Sequence, residues 1–222
     1  MSTNKTKFLL TAAVSFFLLY GSFLQAQEND LINALPKINP WLLYDNGNFA
    51  DWLGKKYLGK LLREPINVII VDSFSDSEQA AVQKVMKECK AAGYAEEWGH
   101  TSGYAGIIDD VPCMQIPNNK RMAFANKDFY QVNNHGRIIG PVKYQGAYYF
   151  VAAFSRESPS FITGLKHLFV SFNAARDDFA AKMDTKSVFK IIGKENLGNV
   201  INGKSITTAD HDGAAVVLSA EK

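Results

Sequence analysis

Cysteine, histidine and long apolar runs are all scarce in this sequence. Two cysteines and four histidines occur in 222 residues, too few for a disulfide-dense scaffold. After residue 30 no stretch stays apolar over the roughly 20 residues that a membrane-spanning helix requires. Basic residues are not clustered either: 24 Lys and Arg stand beside 22 Asp and Glu without a basic run. That balance argues against a nucleic-acid partner, whose affinity comes from clustered cations displacing counterions from phosphates. The histidines His100, His135, His167 and His211 lack H-x-H, H-E-x-x-H or Cys/His spacing, so no local metal motif exists, and no cofactor is expected. What remains is a chain with 47% hydrophobic and 12% aromatic residues, the composition of one ordinary globular domain with a core of its own.

The N-terminus has the three parts of an export signal. Lys5 and Lys7 precede an apolar stretch at 8–20, and Leu24-Gln25-Ala26 ends a short tail before Gln27. Residues 1–26 are therefore expected to be a signal peptide cleaved after Ala26, which delivers a soluble chain to the periplasm or the exterior. Loss of Lys5 and Lys7 leaves 22 basic against 22 acidic residues, a neutral protein. An oxidising destination would let Cys89 and Cys113 pair, which would add roughly 3 kcal/mol. The alternative is that Cys89, at helical spacing from Val82, Val85 and Met86, is a small core hydrophobe.

Residues 27–63 carry Trp41, Tyr44, Trp52 and Tyr57 among Asn, Gly and Pro, and read as an aromatic-rich wrap of helical pieces and loops around a globular domain at 64–222. The β-branched run at 66–71 predicts a strand, and Ser75 with Glu78 makes a capping box for a helix reaching Ala92 and stopped by Gly93. Residues 94–127 predict loops and short strands. Strands are expected at 129–132, 137–139, 147–154 and 167–172, the stretch at 147–154 being apolar on both faces and therefore central. Asn173 can cap a helix over 174–183, and 188–192 is helix or strand. Alternation at 206–208, a turn at Asp212-Gly213 and an apolar return at 214–218 predict a hairpin. The expected fold is α+β, a central mixed sheet with helices packed on it.

Two strings imitate known motifs. Gly198 through Gly203-Lys204-Ser205 matches G-x-x-x-x-G-K-S, but a phosphate loop opens a helix and this one leads into the apolar alternation at 206–208. The glycines are better read as turns. Gly99-His100-Thr101-Ser102-Gly103 resembles a nucleophile elbow with Thr101 in the serine position, yet it lacks the flanking strand and helix that present such a nucleophile.

The most informative residues are Asn134-His135-Gly136-Arg137, Ser155-Arg156-Glu157, and the segment from His167 to Asp178. On a strand, His167, Phe169, Ser171 and Asn173 share one face. Arg176 in the first turn of a helix opposes the dipole and calls for an anionic partner, for which Glu157 is the candidate. One function class follows from the neutral charge and the aromatic loops: a non-catalytic binding or structural protein of the cell envelope with a glycan or protein partner. The other is a hydrolase of an anionic ester. In it Arg137, Arg156 and Arg176 hold the anion, His135 or His167 moves the proton, and Glu157 or Asp177 orients the histidine. It requires those side chains to converge.

The order of these segments, with Gly146-Ala147 leading to Phe154-Ser155-Arg156-Glu157 and His167-Leu168-Phe169-Val170 leading to Ala175-Arg176-Asp177, resembles the C-terminal domain of LssY-type bacterial proteins. The resemblance covers about residues 64–185; the segment 109–127 departs from it by lacking the family's arginine-containing motif. It implies a cell-envelope setting and no defined chemistry.

Overall fold

The computed structural model describes residues 35–118, 121–160 and 166–221, so the expected signal at 1–26 lies outside the described residues. In chain order the strands are β1 (Leu43–Tyr44), β2 (Lys56–Tyr57), β3 (Lys60–Leu62), β4 (Val68–Asp72), β5 (Ala95–Trp98), β6 (Tyr104–Ile108), β7 (Val111–Ile116), β8 (Met122–Ala125), β9 (Asn133–Tyr144), β10 (Ala147–Ser160), β11 (Lys166–Ser171), β12 (Phe189–Asn196), β13 (Ile206–Thr207) and β14 (Ala214–Ala220). The helices are α1 (Glu78–Ala91) and α2 (Asn173–Lys186). Eleven strands form one sheet with the path β1-β6-β7-β9-β10-β4-β14-β12, to which β11 is joined through β10, and β5 through β8. The sheet is mixed, since β14 runs parallel to β4 while β9, β4 and β11 are antiparallel to β10. This is the α+β fold expected, a single body, and no helix among the described residues is long and apolar enough to cross a membrane.

Strand β10 is central because neither of its faces meets water: Phe150, Val151, Ala152 and Phe154 are fully buried. On one face Phe150, Ala152 and Phe154 pack with Val68, Ile70, Val216 and Leu218 against both helices, which contribute Ala81, Val85 and Cys89 and then Ala175, Phe179 and Met183. Phe154 stacks on Phe179 at 4.0 Å between centroids, and Tyr94 meets both rings edge-on. Gly136 on β9 makes that stack fit. A Cβ there would lie 2.5 Å from the Phe154 ring and 2.7 Å from the Ala153 carbonyl oxygen, distances that no side chain tolerates.

The wrap at 35–63 forms three short strands and one short 3-10 turn at Trp52–Gly54, so the helical content expected of it shrinks to that turn. Its backbone is fastened by Leu42 N–H to Glu64 O, Ile66 N–H to Pro40 O and Ala50 N–H to Leu42 O, while β3 pairs with β2 and, in parallel, with β13.

Several local expectations are corrected. The cap of α1 is Ser77, whose hydroxyl accepts from Ala80 N–H, while Ser75 donates to the buried Asp72. Residues 129–132 are a turn, not a strand. Asn173 is the first residue of α2 and not its cap; Ser171 Oγ accepts from Ala174 N–H, and Asp210 accepts from Phe172 and Asn173 N–H. The expected hairpin does not form, because β13 leaves to pair with β3 and β14 inserts between β4 and β12. Cys89 and Cys113 are free, buried thiols, with Cys113 donating to Val111 O.

Arg176 is also corrected. It is only 1% exposed, and its partners are Asp212, at 2.5 and 3.0 Å, and Asp177 at 2.8 Å, not Glu157. A buried guanidinium needs this two-point clamp, since taking the charge from water unpaired costs several kcal/mol. Burial pushes the Asp212 carboxyl upward, but Arg176 overrides it and holds the group down at about 2.

Two predictions follow from the packing. Gly136→Ala destabilises the protein by about 2 kcal/mol or more, read from the urea midpoint, because the Phe154 ring and β10 must shift. The clamp's contribution is full above the ordinary carboxyl value of 3.8 and is lost as pH falls toward about 2. Asp212→Asn therefore lowers the denaturation midpoint relative to wild type at pH 5, and the two proteins converge near pH 2.

Candidate functional site

Period-two alternation decides which polar side chains can meet. Strands β9 and β10 pair with Ser155 opposite His135 and Glu157 opposite Asn133, so Asn133, His135, Arg137, Ser155 and Glu157 share one face, away from the helices. Asn134, Gly136 and Arg156 face the other way. There Arg156 donates to Asn134 Oδ1 at 2.7 Å and approaches the Ala174 carbonyl of α2.

A pocket of about 130 Å³ opens on the face that carries His135. Strands β9, β10 and β11 supply His135, Arg137, Glu157 and His167; the β5–β6 loop supplies His100, Thr101 and, at its end, Tyr104. The wrap supplies Trp52, Leu53, Lys55 and Glu64, and the turn before β9 supplies Phe129. Of the sequence-selected residues, His135, His167, Glu157 and Arg137 therefore converge. Arg156, Arg176 and Asp177 do not, being spent on ties between sheet, helix and the β14 entrance.

Glu157 is the hub of the floor. Its Oε1 lies 2.6 Å from His167 Nδ1, a close contact bent away from a straight hydrogen bond, and 3.6 Å from His135 Nδ1. It also accepts from Asn133 Nδ2 at 3.3 Å, while Asn133 Oδ1 meets His135 Nδ1 at 3.2 Å. His167 thus turns Nδ1 toward the carboxylate without a hydrogen bond to it, and its Nε2 is the ring nitrogen open to a ligand. The His100 and His135 rings stack at 5.0 Å, and Phe129 stacks on His167 at 5.9 Å.

The wall holds Arg137, which donates to Thr101 Oγ1 at 3.3 Å and lies over the Tyr104 ring. Thr101 in turn is hydrogen-bonded to the Tyr104 hydroxyl at 2.9 Å. Three buried nitrogens here, Arg137 Nε, His100 Nε2 and His167 Nδ1, have no hydrogen-bond partner among the described residues, and Arg137 and His100 are more than nine-tenths buried. Such groups cost free energy unless something polar meets them.

Burial governs the charge state. It lowers His100 to about 4, helped by Arg137 and His167, and lowers His135 well below the ordinary imidazole value for the same reasons. Burial raises Glu64 to about 7 against the pull of Arg137 and of the Trp52 N–H that it accepts at 3.0 Å. With Glu64 largely uncharged below neutrality, Arg137 and Lys55 outnumber Glu157 among the other Lys, Arg, Asp and Glu side chains lining the pocket, a balance that suits an anion. Among the described residues, no group of three or more His, Cys, Asp or Glu side chains is arranged to hold a metal ion.

The rim is strained. Trp52 and Leu53 both have left-handed backbone, at φ 53° and 61°, which costs about 1–3 kcal/mol per residue. Asp51 holds the turn by accepting from Gly54 N–H at 2.9 Å and from Tyr44 at 2.7 Å, and Trp52 Nε1 reaches Ser155 Oγ at 3.3 Å. Sequence reasoning missed this rim, and it missed His100 and Glu64. A histidine in the glycine-flanked stretch 99–103 and a glutamate between Arg63 and Pro65 were the available signals.

Comparison with known proteins finds no matching family model, curated protein or solved structure. The likeness to LssY-type domains rests on the quoted residues alone.

Because Glu64 titrates near 7 in the fold and near 4.5 when exposed, the unfolded chain releases this proton first, and stability falls as pH rises from 4.5 to 7. Glu64→Gln removes that fall. Melting temperature against pH is the check, and the variant's curve is flatter than wild type over that window.

Proposed function

We propose that the protein is an exported acid–base hydrolase acting on a small anionic ester of the phosphate type. The observation that carries this reading is the Glu157–His167 contact at 2.6 Å lining the same pocket as Arg137. Arg137 and Lys55 bind the anionic head. His167, oriented through Nδ1 by Glu157, takes a proton at Nε2 from a water as the water oxygen bonds to phosphorus. The bond from phosphorus to the alkoxy oxygen breaks, and the proton passes on to the leaving alkoxide. Neutral His100 and His135 add donors and acceptors without competing for the anion's charge. His167 is the catalytic residue, and Glu157 is a positioning residue.

Binding without turnover is the second reading, favoured by the Thr101 hydroxyl being tied to Tyr104 and Arg137 rather than to a histidine, and by exposed Trp98 and Tyr130, which suit a glycan or protein partner. The two separate on 4-nitrophenyl phosphate. The chain starting at Gln27 is expected to release nitrophenol, with His167→Asn slowing it by at least roughly 100-fold. Glu157→Gln lowers kcat while KM changes little, since His167 loses the carboxylate that orients it and the anion-binding Arg137 is untouched. Phosphate binding with no release by the wild type overturns the hydrolase and leaves the pocket a binding site; neither binding nor release removes the anion site and leaves only the surface at Trp98 and Tyr130 for the second reading.

A further inference from the structure

The mouth of the pocket differs in chemistry from its interior. Cavities of about 150 Å³ take one benzene-sized group, and this one, at about 130 Å³, is filled by a compact head alone. Any substituent on that head leaves through the mouth. Leu53, 54% exposed, and Phe129, 37% exposed, both line the pocket, and each is an apolar surface left open to water beside a polar floor.

Their positions are built. Leu53 occupies left-handed backbone that leucine disfavours, and the turn is kept there by Asp51 on one side and by Glu64 holding Trp52 N–H on the other. Glycine would adopt the same turn without strain, so the leucine side chain itself is what the turn presents. Phe129 is fixed by stacking on the His167 ring, and Gly99 backs its edge so closely that a Cβ there would already touch the ring at 3.6 Å.

Resting on the reading of the pocket as an anion site, we infer that its ligand carries an aromatic or branched alkyl substituent on the anionic head, held at the mouth by Leu53 and Phe129. These two residues determine specificity and take no part in proton transfer.

Calorimetric titration with phenylphosphonate and methylphosphonate, which share a head group and differ in the apolar substituent, tests this. Wild type is expected to bind phenylphosphonate roughly tenfold more tightly, the worth of partly burying one apolar group. In Leu53→Ala and Phe129→Ala that ratio falls toward one. Leu53→Gly loses the ratio and melts at a higher temperature, because it relieves the turn. Equal binding of the two phosphonates by wild type overturns the inference and leaves the anion pocket standing. Failure of both to bind removes the anion site and the inference with it. Neither comparison depends on a variant folding, since wild type alone decides it.

Discussion

The antiparallel pairing of β9 with β10 is the constraint on which everything else depends. It places Gly136 against Phe154 on the helix face and His135 beside Glu157's strand position on the other. One register thus fixes the hydrophobic core and the polar pocket together. A slip of β9 by a single residue would turn Asn134 into the pocket and send His135 and Arg137 toward the helix face, away from Glu157. The core enforces the register because Phe154, Phe179 and Tyr94 fit only where Gly136 leaves room.

The arrangement also explains why two of the three selected arginines serve structure. Arg156 and Arg176 lie on the side of the sheet that carries α2, and their charges are matched by Asn134, the Ala174 carbonyl and Asp212. Arg137, on the opposite face, has a hydroxyl and an aromatic ring for company and an Nε without a partner among the described residues. Structural ties and pocket-lining side chains are separated by the pleat of one strand pair.

Much of the fold was legible. The β-branched run became β4, the doubly apolar stretch became β10, and Gly93 ended the first helix, because each signal is local. What was not legible is set by distant chain. Asp210 caps α2 from 37 residues away, and β13 pairs with β3 across the molecule, which no hairpin signal at 206–218 can reveal. For the site, grouping Arg156 with Glu157 ignored alternation, which sends neighbours on a strand to opposite faces. His100 and Glu64 reach the pocket only through tertiary packing of a loop and the wrap.

Three histidines from three separate segments line one pocket, and the histidine ring ¹⁵N spectrum of the chain starting at Gln27, recorded with and without inorganic phosphate, reports whether they meet an anion there. Signals of His100, His135 and His167 are expected to move together. His211, buried against Asn199 elsewhere, stays still. Four unmoved histidines, or movement of His211 alone, would contradict an anion site in that pocket.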